Sequence, residues 1–398
     1  MLKSFSFTEG VKMKFLHAAD LHLDTPFVGI NDFSKELQKK LQDSTYQAAR
    51  NLFDTALTEE VNFVILAGDI FDDTDSSLKV QMFLRDEFEK LNQADIAVYL
   101  IYGNHDYYRN NFAVVNFPEN VHIFEQDVST ETLTTSDGVK VGITGFSYYQ
   151  QHINQAVVKS YPSRGDFDYQ IGILHAGVGD DNYAPFQIND LIQKGYDYWA
   201  LGHIHKREVL CDSPAIVYPG DIQGRNQNET TPKGFYIVTV EDHLTKLKFV
   251  KSSVYTWDKV TLNVKNDSVD SLITKITDSL NQPDTLLTLT INNAQNLSDD
   301  VIKTIKRNEL QHHFAEVETP SILYKIVLKF NDNPQLSQID QKYWKQAQNQ
   351  TLDLDKIKDL DSKLYAESII RDHINDREFL QNITELVKNT INQKYTGE

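Results

Sequence analysis

Cysteine is nearly missing: Cys211 is the single thiol among 398 residues. No intramolecular disulfide can form, and a reducing, cytosolic setting is expected. No run approaches the roughly 20 apolar residues a membrane-crossing helix needs. The first dozen residues lack the apolar core of a signal peptide and carry no fold information. Basic residues are also scarce, with 39 Lys and Arg against 57 Asp and Glu and a formal net charge of −18. Phosphate contacts rely on Lys and Arg, so this balance counts against a free-standing nucleic-acid binder. Carboxylates that hold cations are part of that total, however, and a local basic groove is compatible with it. There are no repeats and no low-complexity run.

What is present fits a globular chain of two or three domains, with 40% hydrophobic and 24% charged residues. Short apolar runs at residues 15–19, 62–67 and 96–102 alternate with helical spacing at 44–60 and 76–92. This βαβαβ rhythm predicts a layered α/β domain with helices flanking the sheets. Further strands at 140–145, 169–174, 198–201, 215–218 and 234–240 suggest a mixed sheet with hairpins. The pattern restarts near Asp258 as a smaller α+β module, with strands at 260–264, 286–291 and 321–330 and helices at 269–280 and 298–307. The expected domains are therefore 13–257, a capping module at 258–331, and a helical tail at 332–398 that could dock a partner. In the module, His312 and His313 read as a solvated strand end rather than a metal pair. Lys303, Lys306 and Arg307 form a small basic patch, usually a solvated face and the first place to look for duplex contacts.

The chemistry gathers at the ends of apolar runs. Gly103-Asn104-His105-Asp106 sets an amide, an imidazole and a carboxylate at the mouth of a strand, which is costly for folding alone. The first strand ends in Asp20-Leu21-His22; residues two apart in extended chain share a face, so both side chains can hold one ion. The second runs into Gly68-Asp69-Ile70-Phe71-Asp72, with a glycine that permits close backbone approach. Residues 171–174 lead to His175, and residues 198–201 lead to Gly202-His203-Ile204-His205. Each piece alone is weak, but five in order are hard to obtain by chance. Ligands collect beyond the carboxyl ends of strands in open α/β sheets. Seven donors, namely Asp20, His22, Asp69, Asn104, His175, His203 and His205, exceed one zinc and suit two octahedral-leaning divalent ions sharing a bridge. His17, three before Asp20, points away from them and reads as a structural hydrogen-bonder.

This series resembles the calcineurin-like metallophosphoesterase superfamily. Residues 17–24 (HAADLHLD) with residues 218–225 (YPGDIQGR) look like the SbcD/YhaO-type DNA repair exonucleases, bacterial relatives of the double-strand-break repair nuclease subunit. The resemblance implies metal one on Asp20, His22, Asp69 and His205, and metal two on Asp69, Asn104, His175 and His203, with manganese as the usual ion. It implies hydrolysis of DNA phosphodiesters by an activated water, with His105 assisting at the phosphate or leaving oxygen. It further implies a homodimer and a coiled-coil ATPase partner of the SbcC type that grips DNA. Where many such nucleases carry histidine this chain has Asp72, expected to polarise His105; Asp106 is the competing candidate. Asp221 follows Tyr218-Pro219-Gly220 where relatives often have serine or asparagine, an added negative charge near phosphate. Tyr107 and Arg109 could stack on a base or hold a phosphate, or pin the loop to the core, and Arg225 is a further phosphate candidate. The alternatives are a small-molecule phosphoesterase, for a cyclic nucleotide or nucleotide-sugar lipid, and an inactive scaffold.

Overall fold

Runs of β-branched and aromatic residues in the first hundred positions have no polar alternation, as expected of strands covered on both faces. The computed structural model describes residues 11–25, 27, 33–72, 77–108, 115–179 and 181–330. The first layer contains β1 (Lys12–Ala18), α1 (Lys35–Thr58), β2 (Phe63–Ala67), α2 (Leu78–Asn92), β3 (Ala97–Ile101) and β4 (Val121–Ile123). The second contains β5 (Ser129–Thr134), β6 (Lys140–Gly145), β7 (Tyr169–His175), α3 (Ile188–Ile192), β8 (Tyr198–Gly202), β9 (Glu208–Asp212) and β10 (Ala215–Tyr218). A hairpin, β11 (Gly234–Glu241) and β12 (Leu244–Lys251), returns to the first sheet. Then follow β13 (Thr256–Asn263), α4 (Val269–Ser279), β14 (Thr285–Asn292), α5 (Asp299–Lys306), α6 (Glu309–Glu316) and β15 (Ser321–Lys329).

The first sheet has the order β12-β11-β1-β2-β3-β4, and β1 to β4 run parallel. The second has the order β5-β6-β7-β8-β10-β9, parallel from β6 to β10 with antiparallel edges. Phe15, Ile65 and Tyr99 from one sheet share a buried core with Ile143, Ile171 and Val217 from the other, so the two pack face to face. On the outer face of the first sheet, Leu52 and Phe53 of α1 and Leu84 and Phe88 of α2 bury against Leu16, Val64 and Val98. The layered α/β expectation holds. Strands β13, β14 and β15 form a third, three-stranded sheet. Two compact units result. One takes the described residues up to Lys259 with Ser279–Thr288 and His312–Tyr324; the other takes Val260–Asp278, Leu289–Gln311 and the described residues from Lys325. Among the described residues, no helix is long and apolar enough to cross a membrane. The expected tail at 332–398 lies outside the described residues.

Two local expectations change. Helix α1 begins at Lys35, capped by Ser34, whose side chain accepts from the Leu37 amide, rather than near residue 44. Its added turns bury Leu41 against Trp257 and Leu286, contacts distant in sequence that local spacing cannot show. His312 and His313 lie on helix α6, not on a strand. Leu310 and Phe314, four apart and buried, supply the apolar face, and both histidines are left exposed. The basic patch on α5 is partly neutralised locally, since Lys303 pairs with Asp300 at 3.6 Å and Arg307 with Glu309 at 3.7 Å.

His17 is fully buried in β1, with Nδ1 2.9 Å from the Tyr198 hydroxyl and Nε2 3.2 Å from the Leu201 carbonyl oxygen. Burial pushes its pKa down to about 3. The unfolded imidazole protonates near pH 6.5, so its stabilising contribution is full above that pH and is lost progressively as pH falls toward 3. Each pH unit in this window costs about 1.4 kcal/mol. Urea unfolding at pH 7 and 5.5 should therefore show a smaller pH-induced loss in His17→Gln than in the wild type; equal losses would refute this.

Candidate metal centre

Both sheets aim their strand ends at one place. Asp20 and His22 follow β1, Asp69 follows β2 and Asn104 follows β3, while His175 ends β7 and His203 and His205 follow β8. The loops after β1 and β2 are zipped by backbone bonds, with the amides of Asp20 and His22 donating to the carbonyls of Gly68 and Asp69 at 3.0 Å each. Both oxygens of Asp20 accept from the His203 amide, at 3.0 and 3.2 Å, which joins the first sheet to the second. Asp20, His22, Asp69 and His203 have φ of 53, 41, 50 and 98°, in the left-handed region that side-chain-bearing residues seldom occupy. Such backbone costs on the order of 1–3 kcal/mol per residue and clusters at functional sites.

The donors form two groups. Asp20, His22 and His205 lie together, as do Asp69, His175 and His203. The Nε2 atoms of His22 and His205 are 3.2 Å apart. The Oδ1 of Asn104 lies 3.0 Å from His175 Nε2 and 3.1 Å from His203 Nδ1. Asp69 Oδ2 is 3.3 Å from His175 Nε2 and 3.7 Å from His22 Nε2. Two donors at right angles on one ion, each about 2.1 Å from it, stand about 3 Å apart, so this spacing fits cations.

The protonation of two of the four imidazoles agrees with that fit, while His175 and His205, despite burial, are drawn upward by neighbouring carboxylates. Burial, then the Arg225 guanidinium, hold His22 down to about 3, and burial with His175 holds His203 well below the usual histidine range. Both imidazoles are therefore neutral at pH 7 with a lone pair to give. His175 Nδ1 donates to the Ala67 carbonyl at 3.0 Å, which turns Nε2 toward Asn104 and Asp69. Burial opposes charge on His175, yet the carboxylates of Asp69 and Asp20 raise it to about 9. The site draws positive charge inward, as a divalent-metal centre would.

Several expected roles are relocated. No hydrogen bond joins the Asp72 or Asp106 carboxylate to His105, although an Asp72 carboxylate oxygen lies within 4.8 Å of a His105 ring nitrogen; the His105 Nδ1 donates to the Asp72 carbonyl oxygen at 3.1 Å. The Asp72 carboxylate accepts from His22 Nδ1 at 3.1 Å and Arg225 at 2.9 Å. Asp106 is buried, and its oxygens accept from the amides of Gly103 (2.7 Å), Ile70 (2.6 Å) and Phe71 (3.1 Å). A buried carboxylate needs donors, and unpaired strand-end amides supply them, so Asp106 ties two loops together. Arg225 was expected at the phosphate, but its side chain is 14% exposed and points to Asp72 and His205. Asp221 is fully buried and pairs with Lys233 at 2.6 Å, so a lysine already answers its charge. Tyr107 is half-buried against the aromatic core around Phe146 and Trp199, in the anchoring position. Arg109 lies outside the described residues.

Three residues at the site were not foreseen. Glu229 Oε1 stands 3.5 Å from His205 Nδ1, Lys233 Nζ donates to the His205 carbonyl at 2.7 Å, and the Tyr183 ring lies 4.4 Å from that of His203. Glu229 follows Arg225 by four positions, which was the only local hint.

Comparison with known proteins agrees with this geometry. Residues 13–207 match the model of the calcineurin-like phosphoesterase family. The chain is 40% identical over 258 residues to the metallophosphoesterase YhaO of Bacillus subtilis (strain 168), covering 63% of this chain and 63% of that protein, a little under two thirds of its length. It is 24% identical over 286 residues to the DNA double-strand break repair protein Mre11 of Methanocaldococcus jannaschii, covering 68% and 75% respectively. It is 26% identical over 247 residues to Mre11 of Thermoplasma acidophilum, covering 58% and 64%. On its donor set, its layered fold and this match, residues 13–207 belong to the calcineurin-like phosphoesterase family.

Proposed function

We propose that this chain hydrolyses DNA phosphodiester bonds using two divalent cations, Mn2+ in our reading. One would be held by Asp20, His22, Asp69 and His205, the other by Asp69, Asn104, His175 and His203. The observation that carries this is Asp69 Oδ2, which faces the Nε2 atoms of both His175 at 3.3 Å and His22 at 3.7 Å. Such ions, when bound, acidify a water and neutralise charge on the phosphoryl oxygens. A carbonyl only accepts, so the contact with Asp72 places a proton on His105 Nδ1. Nε2 is left to take up a second proton and pass it to the leaving oxygen.

The Mre11 relatives, named as DNA double-strand break repair proteins, support DNA as substrate. The net charge of −18 favours the second reading, a small phosphodiester such as a cyclic nucleotide or nucleotide-sugar lipid. In the DNA reading the affinity missing from the chain would come from a homodimer and a coiled-coil ATPase docked at 332–398. Parallel assays with Mn2+ on linear duplex DNA and a chromogenic diester separate the two. We expect DNA cleavage, and in His105→Leu a loss of about 100-fold or more with metal content unchanged by elemental analysis. Turnover of the chromogenic diester alone would move the assignment to a small substrate, and no turnover of either would leave a scaffold.

A further inference from the structure

Behind the donors of the first group lies a chain of charged side chains with no assigned role. Arg225 Nη1 donates to Asp72 Oδ1 at 2.9 Å, the same oxygen that accepts from His22 Nδ1 at 3.1 Å. Nη1 also reaches Thr25 Oγ1 at 3.2 Å, and Nη2 lies 3.3 and 3.4 Å from the two ring nitrogens of His205. The Arg225 amide donates to Glu229 Oε2 at 2.6 Å, while Glu229 Oε1 stands 3.5 Å from His205 Nδ1. Arg225 therefore meets both carboxylates that back the two imidazoles, Asp72 through its guanidinium and Glu229 through its main-chain amide, and its side chain is 14% exposed.

We propose that Arg225 is a positioning residue, whose guanidinium clamps Asp72 against His22 and braces the ring of His205, while its main-chain amide holds Glu229, so that both histidines present Nε2 to the same ion. The geometry requires a guanidinium. A planar fork can address a carboxylate and a ring edge together, whereas an ammonium offers a single point of charge. An imidazole whose second nitrogen donates to a carboxylate is fixed in tautomer and rotation and is a stronger ligand; losing such a partner typically costs about 10- to 100-fold in metal affinity. The Nε2 to Nε2 distance of 3.2 Å is what this clamp maintains. Lys233, which holds the His205 carbonyl at 2.7 Å and Asp221 at 2.6 Å, steadies the same loop from below.

This inference rests on the two-ion reading, and calorimetric titration of the full chain with Mn2+ alone tests them separately. The wild type should take up two ions. Arg225→Met should weaken one binding event by about 10- to 100-fold and leave the other within about 2-fold. Asp72→Asn should weaken the same event. The double variant should lose no more than the worse single variant, since both act through His22. Arg225→Lys should restore only part of the loss. If Arg225→Met binds both ions as tightly as the wild type, or its effect adds fully to that of Asp72→Asn, the clamp is wrong while the two-ion reading stands. If the wild type itself takes up fewer than two ions, both fall. Should Arg225→Met fail to fold by circular dichroism, Asp72→Asn alone carries the test, and its unchanged two-ion affinity would overturn the clamp.

Discussion

Asp69→Asn should lower phosphodiesterase turnover by about 1,000-fold or more and reduce bound metal at both groups together. Removal of one well-placed electrostatic partner in an active site already costs about 10²–10³ in rate, and this carboxylate serves two groups. Its Oδ2 faces His175 Nε2 at 3.3 Å and His22 Nε2 at 3.7 Å, and its Oδ1 accepts from the His105 amide at 3.0 Å. Asparagine keeps the shape and one carbonyl oxygen but loses the negative charge and turns an acceptor into a donor. The substitution thus removes the shared anion, and its amide N–H can donate to the lone pair of a facing imidazole and occupy it. Elemental analysis should find both ions depleted. Depletion of one ion with the other at full occupancy would show that Asp69 does not bridge.

Gly103→Ala is expected to be nearly as damaging, although a methyl group carries no charge. A Cβ at this position would fall within the van der Waals shell of Asp69 Oδ1 and 2.7 Å from Cε1 and Nε2 of the His175 ring. Neither neighbour can yield cheaply. Asp69 is held by the His105 amide, and His175 is fully buried and bonded to the Ala67 carbonyl. A change of one methyl in a close-packed interior typically costs about 1–3 kcal/mol through displaced side chains, and here the displaced atoms are the donors themselves. Turnover should fall at least about 100-fold, by analogy with the loss when reacting groups are misplaced by about 1 Å. A thermal unfolding transition should persist. An alanine variant with wild-type Mn2+ affinity would show that the strand end has room to shift.

Gly202 makes the same kind of approach, since a Cβ there would overlap the Ala67 carbonyl oxygen and come within 2.9 Å of His175 Nδ1. The ends of β2, β7 and β8 are therefore packed backbone to side chain. This explains why glycines stand before Asp69, Asn104 and His203, which spacing alone did not require.

Much of the fold, and the convergence of the seven candidate donors, was legible in the sequence. The apolar runs ending in Asp20, Asp69, Asn104, His175 and His203 are local features, because strands are recognised by short-range pattern and strand ends by the polar residue that breaks it. The helical spacing that marks α2 is equally local. Helix α1 was only half visible, since its first turns are held by Trp257 and Leu286. Strand β12 is less legible: only its residues 245–249 alternate between Lys and apolar or Thr side chains, a pattern of an edge strand with one wet face, and the adjacent Phe249 and Val250 break it.

The partners of the charged groups were not legible at all. Asp72 could have served His105 or His22, and only the fold decides that its carboxylate meets His22 and Arg225 while its carbonyl meets His105. Asp106 looked like chemistry and proves to be a backbone acceptor for three amides. Arg225 looked like a phosphate contact and is turned inward.

The amino-acid order of this protein by itself determined which side chains could reach the ends of which strands, because the two-residue repeat of a strand and the break at its end are properties of neighbouring residues. Tertiary structure alone decided which of those side chains face each other and which serve as supports. A carboxylate's role depends on the nearest donor in space; the side-chain donors to Asp72 come from 50 and 153 positions away along the chain, and two of the three amides on Asp106 from 36 and 35.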